Sequence, residues 1–185
     1  FKVSQTVKCA GIQVSDINEN KGTFKVTVSG VIAPSGVQSV QIPMWCSGDQ
    51  SDIVWYNAIK EKEGIYSAIM GVKNHAYHFG NYKINVYATM GNGIFSGIGG
   101  TTQTINANNY LYTKYINATQ REIWLLGVDG EQVQFPTWSD TNGQDDIVWY
   151  GGTNRGNGNW STVVDSNNHK HGGKYNTHAY VTKNG

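Results

Sequence analysis

The chain has 185 residues, 14 Lys and Arg against 13 Asp and Glu, and a formal net charge of +1. This balance holds in both halves and excludes the basic stripe that marks a nucleic-acid-binding surface. Charged residues make up only 15%, while 23 Gly, 11 Tyr and 6 Trp favour short strands and tight turns over long helices.

In chain order, "GTFKVTVSGV" (22–31) alternates, with Phe24, Val26 and Val28 on one side, and predicts a strand. "VQIPMW" (40–45) and "DIVWY" (52–56) predict a hairpin whose loop is "CSGDQS". "GNYKINVYAT" (80–89) predicts a further strand, with Tyr82, Ile84, Val86 and Ala88 inward and Lys83, Asn85, Tyr87 and Thr89 outward. Glycines then cluster in "MGNGIFSGIGGTTQT" (90–104), read as a linker that borrows Ile94 and Phe95 as packing contacts. Beyond it, "YLYTKYINATQREIWLLGV" (110–128) carries only fragments of the strand pattern. No run approaches 18 apolar residues, so no membrane-spanning helix is expected. The first residue is Phe1, and the chain is expected to be a piece of a longer or processed protein.

The rest of the second half repeats the first. "QIPMWCSGDQSDIVWY" (41–56) returns as "QFPTWSDTNGQDDIVWY" (134–150), "KNH" (73–75) as "NNH" (167–169), and "GNYKINVYAT" as "GKYNTHAYVT" (173–182). A unit of this length is a whole domain and not a solenoid repeat. The chain therefore reads as all-β: two tandem antiparallel β-sandwich, immunoglobulin-like domains, over 1–93 and 94–185.

Alternation sorts the aromatic residues. In "VQIPMW" the apolar set is Val40, Ile42 and Met44, which turns Trp45 outward; Trp138 follows in the second copy. In "SDIVWY" an unpaired aspartate is rarely buried, so Asp52, Val54 and Tyr56 are placed outside, and Trp55 and Trp149 inside. Each unit is then expected to display an aromatic patch: Trp45, Tyr56 and Tyr87 in the first, Trp138, Tyr150 and Tyr180 with His178 in the second. His178 has Asn85 as its counterpart, so the second site is expected to be the stronger.

Catalytic chemistry finds little support. Asp145 and Asp146 are adjacent and point to opposite faces of a strand, so they cannot flank one glycosidic bond. No nucleophile elbow or phosphate loop is present. The five histidines lack zinc-site spacing, no cofactor is implied, and the correspondence of His75 with His169 predicts a shared structural role, such as donating to a loop carbonyl. Cys9 and Cys46 read as independent thiols, and Ser139 stands at the second copy's equivalent of Cys46.

The pattern P-x-W, D-I-V-W-Y, a lone His, then G-x-Y-x-x-x-x-Y-x-T resembles the GBS Bsp-like repeat of Gram-positive surface proteins and peptidoglycan hydrolases. The resemblance implies a wall-associated, non-catalytic module in the parent chain of an autolysin or endolysin, covalently linked to an amidase, muramidase or similar domain. It further implies an extracellular or wall-associated location and a bacterial cell-wall polymer, peptidoglycan or an associated glycan, as partner. The alternative is a structural spacer or an adhesin-type protein-interaction module.

Overall fold

The computed structural model describes residues 6–185. The described residues include no α-helix, only two short 3-10 turns, Val72–His75 and Ser166–Asn168, so none has a helix long and apolar enough to cross a membrane. The chain forms two compact units, residues 1–106 and 107–185.

The first unit contains β1 (Gly11–Asn18), β2 (Thr23–Ser29), β3 (Val37–Trp45), β4 (Val54–Asn57), β5 (Ile59–Lys62), β6 (Ile65–Gly71), β7 (Gly80–Met90) and β8 (Phe95–Ile105). They form two antiparallel sheets, in the orders β1-β2-β6-β5 and β4-β3-β7-β8. The alternating apolar rows seen in the sequence face each other between the sheets. Phe24, Val26 and Val28 from β2 lie against Val40, Ile42 and Met44 from β3 and Tyr82, Ile84, Val86 and Ala88 from β7, and all are buried. Phe24 meets Tyr82 edge to face at 5.8 Å.

The second unit contains β9 (Tyr110–Tyr115), β10 (Gln120–Leu126), β11 (Gln132–Ser139), β12 (Val148–Gly151), β13 (Thr153–Gly156), β14 (Asn159–Asp165), β15 (Tyr175–Thr177) and β16 (Tyr180–Thr182). Its sheets run β13-β14-β10-β9 and β12-β11-β15, with β16 also on β11. Ile123, Leu125, Trp160 and Val164 of one sheet close on Val133 and Phe135 of the other.

The segment 90–104 is not a linker. Gly93 N–H bonds back to Met90, Met90 N–H bonds to Ile94, and the chain doubles back so that β8 pairs with β7 along its length. The glycines suit close approach: a Cβ at Gly97 would already touch the Tyr87 ring at 3.4 Å. The boundary therefore falls at 106/107 instead of 93/94.

The ladder also shows what 110–128 repeats. Thr27 stands opposite Ser67 and Trp124 opposite Ser161, so β9 and β10 occupy the places of β1 and β2. The cross-strand ion pair in this sheet changes sign: Lys25–Glu61 at 3.1 Å becomes Glu122–Arg155 at 3.8 Å, each beside a buried serine, Ser67 or Ser161. Core-facing positions stay apolar while the outer face drifts, which erases sequence similarity there.

Candidate functional site

The hairpin β3–β4 forms as its sequence predicts, but its aromatic residues face the opposite way. In the ladder Trp55 stands opposite Pro43, and Tyr56 opposite the buried Ile42. Trp55 is therefore on the outer face, 46% exposed, and Trp149, opposite Pro136, is 51% exposed. The expectation that they fill the sandwich is overturned. Its premise failed at Asp52, which lies in the turn before β4, so strand alternation does not extend back to it. Asp52 is buried because it is fully partnered: its carboxylate accepts from Ser47 N–H at 2.9 Å, Cys46 N–H at 3.2 Å and His78 Nδ1 at 3.0 Å. Asp146 is buried in the same turn and accepts from Ser139 N–H at 2.9 Å through Oδ1, while its Oδ2 has no hydrogen-bond partner among the described residues.

Tyr56 and Tyr150 consequently leave the expected patch. Both turn inward and are held by the paired histidines. His75 Nδ1 lies 2.8 Å from the Asp52 carbonyl oxygen and its Nε2 2.8 Å from Tyr56 Oη. His169 repeats this with the Asp146 carbonyl at 3.0 Å and Tyr150 Oη at 3.0 Å. A carbonyl accepts only, so Nδ1 carries a proton in both rings; at His75, burial favours the neutral imidazole, whose Nε2 accepts from the Tyr56 hydroxyl. The structural role expected for this histidine pair is the one observed. In both units the network fixes the residues flanking the outer tryptophan, Asp52 and Tyr56 around Trp55, and so holds the indole outward.

Burial lowers the pKa of His75, and the Asp52 carbonyl and carboxylate only partly oppose this. Burial would raise Asp52, but the Ser47 and Cys46 amides and His78 together carry it below the usual carboxylate range. For a histidine with a lowered folded pKa, the unfolded chain binds the extra proton. The stabilisation is complete above the unfolded pKa of about 6.5 and is lost as pH falls below it. Asp52 adds a second loss below about pH 4. The first unit should therefore melt at constant temperature above pH 7 and at falling temperature toward pH 5. Calorimetry on His75→Gln checks the assignment, since an undiminished slope in that variant would place the proton elsewhere.

Trp45 lies in the outer row, as alternation predicts, but is only 7% exposed. It stands at the end of β3 directly opposite Lys83 of β7, whose side chain shares its face. It is not an accessible contact residue. Trp138 is partly exposed and carries His178 edge-on at 4.8 Å.

The accessible surface in the first unit is a platform of Trp55, Tyr87 and Phe95. Trp55 lies 5.3 Å from Tyr87, and Tyr87 stacks on Phe95 at 5.1 Å with planes 8° apart. Pro43 shares the face directly opposite the indole, and Gly97 leaves room beneath the Tyr87 ring. Beside it, Gln41 Nε2 donates to Asn57 Oδ1 at 3.1 Å. In the second unit Trp149 lies 5.4 Å from Tyr180, which neighbours His178 at 6.5 Å. Of the expected patch residues, Tyr87, Tyr180, His178 and Trp138 belong to this surface. Phe95 was missed as a site residue because its segment read as a linker.

Strand order defines the class of protein. One sheet in the order first-second-sixth-fifth strand faces another in the order fourth-third-seventh-eighth, which is an immunoglobulin-like sandwich. The chain belongs to the GBS Bsp-like repeat family, whose model matches residues 13–103 and 113–185, and is a surface-protein module built from two tandem repeats. No curated protein matches the chain. Among solved structures it is similar to a polysaccharide deacetylase, BC0361, from Bacillus cereus, at 10% identity and TM-score 0.45, over 57% of this chain and 31% of that one. It is also similar to residues 217–571 of S. aureus TarS, at 9% identity and TM-score 0.38, over 85% and 56%. A two-domain fibronectin type-III segment of chicken tenascin matches at 12% identity and TM-score 0.39, over 95% and 91%.

Proposed function

We propose that the chain is a non-catalytic module that binds bacterial cell-wall glycan, peptidoglycan or an associated polymer, outside the cell. In this reading it is the targeting region of a peptidoglycan hydrolase of the autolysin or endolysin kind. The observation that carries it is the duplicated outer-face platform, an exposed tryptophan beside a tyrosine: Trp55 with Tyr87, and Trp149 with Tyr180. Sugar rings present apolar C–H faces that stack on such rings, and amides such as Gln41 and Asn57 suit the hydroxyls at their rim. The tryptophans are about half exposed on the outer face and their rings stand tilted at 41° and 50° to the neighbouring tyrosines, an open surface that suits an extended polymer. Each contact would be weak, and two repeats on one chain gain avidity on a polymeric wall. His178, beside Tyr180 and on Trp138, gives the second repeat an aromatic imidazole where the first has the amide of Asn85, so its site is the stronger of the two.

Sedimentation with purified walls tests the reading, with peptidoglycan and teichoic acid supplied in separate tubes. The chain should pellet with at least one of them and release no soluble fragments. A chain that stays in the supernatant with both would leave the spacer or adhesin role ahead. Sustained lysis by the chain alone would show that it is an enzyme.

A further inference from the structure

The sheet that carries no platform differs between the repeats. In the first repeat its outward pairs are polar: Gln13 stands opposite Thr27, and Ser15 opposite Lys25. In the second the same ladder places hold Tyr112 opposite Trp124, and Lys114 opposite Glu122. The inward pairs between them fix the match, Val14 with Val26 in the first and Thr113 with Ile123 in the second. On β13, Arg155 stands where β5 has Glu61. Neither ring is needed by the sandwich. The first repeat folds the same sheet with an amide and a hydroxyl in their place, and the inward rows supply the core in both.

Tyr112 and Trp124 lie near-parallel, with centroids 6.3 Å apart and planes 13° apart, and Tyr110 adds a third ring 6.0 Å from Tyr112. Two exposed cations rest on them. Lys114 Nζ is 5.7 Å from the Tyr112 centroid and 5.1 Å from that of Trp124, and the Arg155 guanidinium carbon is 5.8 Å from the Trp124 centroid. Arg155 is held in place: its Nε donates to Ser161 Oγ at 2.9 Å and a terminal nitrogen lies 3.8 Å from Glu122, which leaves guanidinium N–H groups for another acceptor. Glu122 is engaged by Arg155 and by Ser161 Oγ, while Lys114 has no carboxylate partner among the described residues. One polar group is left over. The Trp124 N–H is buried without an acceptor among the described residues.

We propose that this face of the second repeat is a further binding site, for an anionic sugar polymer whose units carry a phosphate or carboxylate beside a sugar ring. The anion draws Lys114 off the rings and meets the free N–H groups of Arg155, because a charge-assisted hydrogen bond outweighs a solvent-exposed cation–π contact. The uncovered faces of Tyr112 and Trp124 then take the C–H face of the sugar, and a sugar hydroxyl accepts from the Trp124 N–H. An acidic peptide would engage the cations and leave the rings uncovered. A nucleic acid needs a basic stripe, and the cations at these rings are only Lys114 and Arg155. The site does not rest on the platforms, which lie on the other sheet. It occurs once in the chain, so it gains no avidity and does not by itself hold the chain on a wall.

The test follows the Trp124 indole N–H of the full 185-residue chain by NMR as soluble polymers are titrated. Polyglucuronate and glucose-substituted poly(glycerol phosphate) supply the two anions, dextran the sugar without charge, and polyglutamate the charge without sugar. At least one anionic sugar should shift the Trp124 signal saturably, about tenfold more tightly than dextran or polyglutamate. Lys114→Gln, which removes the cation, and Tyr112→Gln, which restores the first repeat's residue and so keeps the fold, should each weaken binding about tenfold. Added salt should weaken it in the parent. The Trp55→Ala, Trp149→Ala double variant should bind these polymers through Trp124 as the parent does. Absence of a Trp124 shift with both anionic sugars, or equal affinity in Lys114→Gln, would overturn the proposal. Polyglutamate binding as tightly would overturn it in favour of an acidic peptide, and loss of binding in the double variant would overturn it in favour of the platforms.

Discussion

Replacing both Trp55 and Trp149 by alanine should abolish wall binding while both units still melt cooperatively. Each indole is about half exposed, at 46% and 51%, so truncation opens no core cavity. What it removes is an outer-face contact with a proline and a tyrosine, and cross-strand pairs of this kind contribute roughly 0.2–1 kcal/mol. A contact tryptophan at the centre of a binding surface is worth about 2 kcal/mol or more, or roughly thirtyfold in affinity. Each single variant should therefore bind walls some thirtyfold more weakly, with Trp149→Ala the worse. The double variant should lose far more than either, because avidity disappears when neither repeat can anchor the other. Sedimentation and calorimetry on the three variants side by side would show it. Trp45→Ala is the contrasting control: its ring is 7% exposed, so it should cost stability and leave the surface intact.

The second large effect is on folding. His75 is fully buried and satisfies two groups at once, the Asp52 carbonyl and the Tyr56 hydroxyl. His75→Ala leaves a ring-sized cavity and strands both partners in the interior. The combined cost is about 3–5 kcal/mol. In a domain of this size that lowers the melting temperature by more than about 10 °C. The effect should be confined to the first unit, and His169→Ala should reproduce it in the second. If both transitions move together in either variant, the units are not independent cooperative blocks. If neither moves, the histidine network is dispensable.

The repeat, the all-β class and the inward row of β7 were legible because they depend on local alternation and on residues that packing holds constant. Phe24, Val26 and Val28, or Tyr82 to Ala88, could be read directly and are buried. Three features were not legible, each for a physical reason. The turn role of Asp52, its carboxylate bonded to loop amides, was legible, but the phase of β4 was not, because strand alternation was carried back through a turn residue that this bonding buries. The strand β8 was hidden because its glycines, placed for close approach to Tyr87 and Ile12, look like a linker. The kinship of 110–128 with 11–29 was hidden because the outer face exchanged Thr27 for Trp124 and reversed an ion pair, while the ladder stayed the same. The histidine pair was the reverse case: duplicated spacing alone pointed to its role.

Indole N–H signals in solution would address the binding surface residue by residue. The chain has six tryptophans, Trp45, Trp55, Trp124, Trp138, Trp149 and Trp160, each with one resolved side-chain N–H. Titrating soluble wall-glycan fragments into labelled protein should shift the Trp55 and Trp149 signals first and most. Trp138 should follow through His178, and Trp45 and Trp160 should stay in place. Shifts confined to Trp124, or the absence of any shift at fragment concentrations matching the wall-binding midpoint, would contradict an outer-face aromatic site.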